Sequence, residues 1–213
     1  MCKLKKAIYG LKQTPRSWYI KIDSFFKQQG FIKSKNDSSL YIKKDKERNV
    51  YLISLYVDDL VITGGSYQLI ADIKSTMSQE FEMKDLGDLH YFLGIAFWRE
   101  SSKTIITQSK YAREILDRFQ MSECKSVSTH LDQNVKLYIG DGSKEADGTL
   151  YCQLVGSLNY LTTTRPYLSY FVSILSQFLS KPCETHWKAA KQVLIYLKGT
   201  VNYGILYTDV SGI

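Results

Sequence analysis

The residues best equipped for chemistry are Asp58 and Asp59, adjacent carboxylates in Tyr56-Val57-Asp58-Asp59. Leu52, Ile53, Leu55 and Tyr56 precede the pair, and Leu60, Val61 and Ile62 follow it. The pattern reads as strand, tight acidic turn, strand. Like charges so close repel, and burial between apolar strands adds to the penalty. A divalent cation removes both effects. Mg2+ (or Mn2+) takes hard oxygen ligands and keeps coordination positions open for substrate phosphates. Two such ions can activate a primer 3′-hydroxyl and stabilise leaving pyrophosphate during in-line nucleotidyl transfer. Most Asp-Asp pairs are exposed turn residues with no ligand; the apolar flanks are what favour a metal here.

Such a turn needs a sheet and helices behind it. Residues 38–43, 50–56 and 60–63 read as strands, with a charged hairpin loop over 44–49. Before them, Thr14 suits an N-cap and Pro15 the first helical position. Trp18, Tyr19, Ile22, Phe25 and Phe26 then recur at helical spacing until Gly30, which predicts a helix over 15–29. Leu69, Ile70, Ile73, Met77 and Phe81 mark an amphipathic helix over 66–81. Further on, 90–97 and 104–107 read as strands and 109–119 as a helix. Residues 120–148 read as irregular, with a mobile loop at 140–148. Helices are expected near 150–164, 167–180 and 184–198, bounded by Pro166 and Pro182, with a terminal strand at 204–207. Strands dominate the first half and helices the second. The fold class is therefore α+β with a helical subdomain, and the seam falls near residue 98.

Hydrophobic residues make up 44% of the chain and aromatics 13%, which supports a packed core rather than disorder. The net charge is +7, unevenly spread. Residues 1–50 carry 13 Lys and Arg against 4 Asp and Glu; the rest carries 15 against 17. Lys3, Lys5, Lys6, Lys12 and Arg16 gather near the start of the first helix, an end that attracts anions. A triphosphate or a template strand would suit that field, and so would plain solvation of a lysine-rich surface. The four cysteines form no C-x-x-C pair and read as free thiols. His90, His130 and His186 show no metal-ligand spacing and read as structural. No stretch approaches the ~20 apolar residues of a membrane span, so no membrane partner is expected.

Tyr56-Val57-Asp58-Asp59 resembles the metal-binding box of reverse transcriptases. The segment from Leu4 through Leu11-Lys12-Gln13-Thr14-Pro15-Arg16-Ser17-Trp18 looks like the one preceding that box in copia-type (Ty1/copia) retrotransposons. Asp85-Leu86-Gly87-Asp88-Leu89-His90-Tyr91-Phe92-Leu93-Gly94-Ile95 is similar to the family's palm-to-thumb region. Ser109-Lys110-Tyr111-Ala112, Leu154-Val155-Gly156-Ser157-Leu158, Thr164-Arg165-Pro166 and Tyr196-Leu197-Lys198-Gly199-Thr200 continue the likeness in family order.

The resemblance implies a partial polymerase palm over 1–97 and a helical, thumb- or connection-like region over 98–213, ending before a ribonuclease H domain. It implies RNA-directed DNA polymerase chemistry with Mg2+ or Mn2+, an RNA template, a DNA primer and deoxynucleoside triphosphates. Asp58 and Asp59 match the second and third catalytic aspartates, Asp58 being the direct metal ligand. Tyr56 would sit under the primer terminus, and Gln13 would line the incoming-nucleotide pocket, with Lys12 and Arg16 beside it. Phe92, Leu93 and Gly94 fall at the primer-holding hairpin. The family's first catalytic aspartate lies upstream of the Leu-Lys-Gln segment. The chain is thus expected to be a C-terminal piece of the polymerase region, inactive alone and dependent on the upstream palm and fingers. A catalytically inactive nucleic-acid-binding or functionless remnant is the alternative. The expected compartment is the cytoplasm, in a virus-like particle for the intact family, with the nucleus second.

Overall fold

The computed structural model describes residues 10, 12–100, 102–129 and 137–208. Cys2, Lys3, Lys5, Lys6 and His130 lie outside the described residues. The chain divides into two units, 1–88 and 89–213. The seam lies at Asp88/Leu89; residue 97 belongs to a strand of the second unit.

Helix α1, Thr14–Gln28, opens the described part of the first unit, with Gln13 as N-cap and Pro15 in its first turn. Ile22, Phe25 and Phe26 at i, i+3 and i+4 form its buried stripe. The helix stops at Gly30, whose φ of +81° suits a residue without Cβ. There the Gly30 N–H donates to the Lys27 carbonyl at 3.0 Å and the Phe31 N–H to the Phe26 carbonyl at 2.9 Å. These two bonds satisfy carbonyls the helix leaves open and fold Phe31 back against Phe26.

Strands β1 (Ile32–Lys33), β2 (Leu40–Lys44), β3 (Val50–Tyr56) and β4 (Asp59–Gly64) follow. They form one antiparallel sheet in the order β1-β2-β3-β4. The two-residue β1 was not expected, because Ile32-Lys33 is too short to show a period of two. In register, Tyr41 faces Ile53 and Ile53 faces Ile62, so these side chains share one face. Helix α2, Tyr67–Glu80, is capped by the Ser66 side chain, which accepts from the Leu69 N–H. Its Ile73 and Met77 join Ile22, Phe26, Tyr41, Tyr51, Ile53 and Leu55 in one core.

In the second unit, β5 (Tyr91–Phe92), β6 (Ile95–Glu100), β7 (Lys103–Thr107) and the distant β8 (Ile205–Thr208) form another antiparallel sheet in that order. Between β7 and β8 lie α3 (Ser109–Arg118), α4 (Gly148–Leu161), α5 (Ser169–Ser176) and α6 (Glu184–Gly199). Leu154, Leu158 and Leu161 of α4 pack with Leu175, Val193, Leu194 and Ile115 in a second core. A 3-10 turn, Pro166–Leu168, leads into α5, where one helix over 167–180 was expected. The segment expected to be mobile is anchored instead. The Glu184 N–H donates to the Lys144 carbonyl, and the Ala146 N–H to the Pro182 carbonyl. The observed class is α+β, as the sequence pattern implies.

Candidate active-site hairpin

The β3–β4 ladder runs out to the pair Tyr56 and Asp59, leaving Val57 and Asp58 as the two turn residues. Leu55 and Ile53 are buried beneath the turn, whereas Tyr56, Val57, Asp58 and Asp59 are exposed. The hairpin thus has an apolar root and a solvated tip. The expected burial of the carboxylates is corrected here, because the strands extend past their last core residue before they turn. Neither carboxylate has a hydrogen-bond or ion-pair partner among the described residues, and no group of three or more His, Cys, Asp or Glu side chains able to hold a metal occurs among them. Carboxylate oxygens are the hard donors that divalent cations such as Mg2+ take.

Val57 has a φ of +52°. A β-branched residue disfavours this left-handed region, which costs about 1–3 kcal/mol, and the first position of such a hairpin turn normally takes glycine. A long-range contact holds it: Trp18 Nε1 in α1 donates to the Val57 carbonyl at 2.8 Å. The Trp18 ring in turn stands edge-on to Phe81, with centroids 5.4 Å apart. Trp18 lies early in α1, so this bond brings the helix's N-terminal end, with exposed Lys12, Gln13 and Arg16, to the hairpin end of the unit. Gln13 makes no side-chain cap bond. In the sequence Trp18 reads as part of an apolar stripe and as the end of the copia-like segment, and nothing there marks it as a donor to the turn. A groove of about 600 Å3 between α1 and α2, lined by Ser17, Lys21, Gln28 and Thr76 among others, is not lined by either aspartate.

Phe92, Leu93 and Gly94 belong to the second unit. The single strand expected over 90–97 is a hairpin, in which Phe92 pairs with Ile95 and Leu93-Gly94 forms the turn. Both turn residues have positive φ, +48° and +79°, the backbone of the tight hairpin turn that matches strand twist. The Tyr160 hydroxyl of α4 donates to the Leu93 carbonyl. A Cβ on Gly94 would run into that hydroxyl. Tyr111 of α3 packs edge-on against Tyr160 at 4.9 Å. Nothing in the sequence marks Tyr160, any more than Trp18, as a donor to a turn.

A family model described as reverse transcriptase (RNA-dependent DNA polymerase) matches residues 1–133. The chain belongs to the reverse transcriptase family. It is 42% identical over 205 residues to the retrovirus-related Pol polyprotein from transposon RE2 of Arabidopsis thaliana, which covers 96% of this chain and 14% of that protein. The Pol polyprotein from transposon TNT 1-94 of Nicotiana tabacum is 42% identical over 209 residues, covering 94% of this chain and 16% of that protein. An uncharacterized mitochondrial protein of Arabidopsis thaliana is 40% identical over 156 residues, covering 73% of this chain and 64% of that protein. No solved structure gives a significant match. The copia-type likeness of the motif blocks therefore holds across both units, and the chain spans a small part of the polyproteins it matches. Reverse transcriptases work on nucleic acid and nucleotides with divalent metal ions. No helix among the described residues is long and apolar enough to cross a membrane.

Proposed function

We propose that this chain is the part of an RNA-directed DNA polymerase that presents metal-binding carboxylates to a primer end. The carrying observation is the Asp58-Asp59 pair, exposed and unpartnered among the described residues, at the tip of a paired hairpin. In this reading Asp58 is a direct ligand of Mg2+ or Mn2+ and Asp59 completes the acidic surface. A bound divalent ion would help ionise the primer 3′-hydroxyl and offset charge on the departing pyrophosphate. Tyr56 pairs with Asp59 across the ladder and shares its face, where it would support the primer terminus. Gln13, Lys12 and Arg16, at the positive end of α1, would face the incoming deoxynucleoside triphosphate. Phe92, Leu93 and Gly94 would hold the primer. The first unit would act as partial palm and the second as the thumb- or connection-like region.

In-line transfer needs a tighter ligand set than two carboxylates. Strand β4 is the last in its sheet order. Another strand carrying a further aspartate, supplied from the rest of a Pol polyprotein, would pair along it. A second reading, nucleic-acid binding without incorporation, is favoured by the missing third acidic group among the described residues. Primer extension with Mg2+ on an RNA template separates the two. The chain expressed with the preceding polyprotein segment should incorporate nucleotides, and Asp58→Asn should abolish incorporation. Binding that weakens steeply with salt while incorporation stays absent would favour the second reading.

A further inference from the structure

We infer that Trp18 is a positioning residue for the Asp58-Asp59 tip: its indole N–H holds the strained Val57 backbone in the conformation that presents both carboxylates. The inference rests on the metal-binding reading of that pair. Three observations carry it. Val57 occupies the left-handed region, with φ at +52°, where a β-branched residue is least at ease. Nothing in Val57 itself favours that geometry, so the surroundings must impose it. The Trp18 Nε1–H reaches the Val57 carbonyl at 2.8 Å from 39 residues away in sequence. Finally, the Trp18 ring is itself fixed edge-on to Phe81, which stands edge-on to Phe25 in the core at 5.1 Å. The path from core to turn is therefore Phe25, Phe81, Trp18 and Val57, and the next residue is Asp58. The second unit uses the same device, with Tyr160 on the carbonyl of left-handed Leu93. Each turn is held at its strained carbonyl by an aromatic donor from a helix.

The test is a double-mutant cycle on the 213-residue chain, read by Mn2+ binding in paramagnetic resonance and by amide hydrogen exchange over residues 56–60. Trp18→Phe keeps an aromatic ring at this position and removes the N–H donor together with part of the indole. It should weaken Mn2+ binding about fivefold, the equivalent of one hydrogen bond, and speed exchange at the tip while the rest of the sheet is unchanged. Val57→Gly relieves the strain, so in that background the Trp18→Phe effect on both readouts should vanish. An unchanged tip in Trp18→Phe, or an equal loss with and without Val57→Gly, overturns the inference. Failure of the metal-binding reading looks different. Mn2+ binding would then be insensitive to Asp58→Asn, whereas exchange at the tip would still report on the pin.

Discussion

Cys183 stands at the N-cap of α6, a position that favours Ser, Thr, Asp or Asn. Its sulfur lies 3.1 Å from His186 Nδ1, which also accepts the Cys183 N–H at 3.1 Å. His186 Nε2 is thereby left to donate to the Tyr138 carbonyl. His186 is buried and stacked on Phe178, a structural histidine, as its isolated place in the sequence implies. Sulfur is a weak acceptor. Cys183→Ser should therefore raise stability by about 0.5–1 kcal/mol in urea unfolding; a loss would show that sulfur packing outweighs the cap. At the other site, Asp58→Asn removes one of two adjacent like charges with no partner among the described residues. The variant should melt at the same temperature as the parent or higher in low salt, with the difference closing as salt is added. A clear drop in melting temperature would mean that Asp58 stabilises the fold rather than serving a ligand.

At the scale of elements, α6 is fastened at both ends. At its C-terminus the fully buried Arg165 donates from Nη1 to the Thr200 carbonyl at 2.6 Å and from Nη2 to the Val201 carbonyl at 2.8 Å. Two separate N–H groups of a planar, rigid fork meet the two carbonyls, a geometry that the single ammonium of a lysine does not reproduce. Arg165→Lys should cost about 1.5–3 kcal/mol in chemical unfolding, the range for a hydrogen bond from a charged group. The Thr164-Arg165-Pro166 block is thus structural here. At the N-terminus, Asp141 accepts from the Thr185 hydroxyl, the Ser143 hydroxyl and the Ser143 N–H. Those bonds, Thr185 foremost, hold its carboxyl well below the usual carboxylate range. The folded state therefore binds that proton less readily than the unfolded chain. The stabilisation is complete above the ordinary aspartate value of about 3.9 and fades as the pH falls below it toward the lower folded value. Asp141→Asn should flatten the acid limb of a melting-temperature profile, and an unaltered limb would remove Asp141 from that role.

For the whole molecule, the main expectation follows from two separate cores. Phe26 belongs to one and Leu158 to the other, and both are fully buried. Phe26→Ala should cost the first unit about 3–5 kcal/mol and Leu158→Ala the second about 2–5 kcal/mol. Calorimetry should resolve two transitions, each moved by one variant only. A single transition shifted by both would mean the units unfold as one.

Sequence alone determined the α+β order, most helix and strand positions, and the acidic turn between two strands. Each of those rests on local periodicity and local turn chemistry, which a linear chain displays directly. Gly30 as a helix stop and Ser38–Lys43 with 50–56 as neighbouring strands were legible for the same reason. The break at Leu93-Gly94 was not, because residues 90–97 keep an apolar pattern through the turn and only the backbone sign change reveals it. Nor were β1 or the pairing of β8 with β7, since a two-residue strand has no period and a partner some hundred residues away has no local trace. Tertiary structure also decided that the carboxylates of Asp58 and Asp59 stand in solvent rather than between buried strands. It alone brought Trp18 to Val57 and Tyr160 to Leu93. Those contacts join residues 39 and 67 apart, and their donors are aromatic side chains whose sequence signature is that of ordinary core.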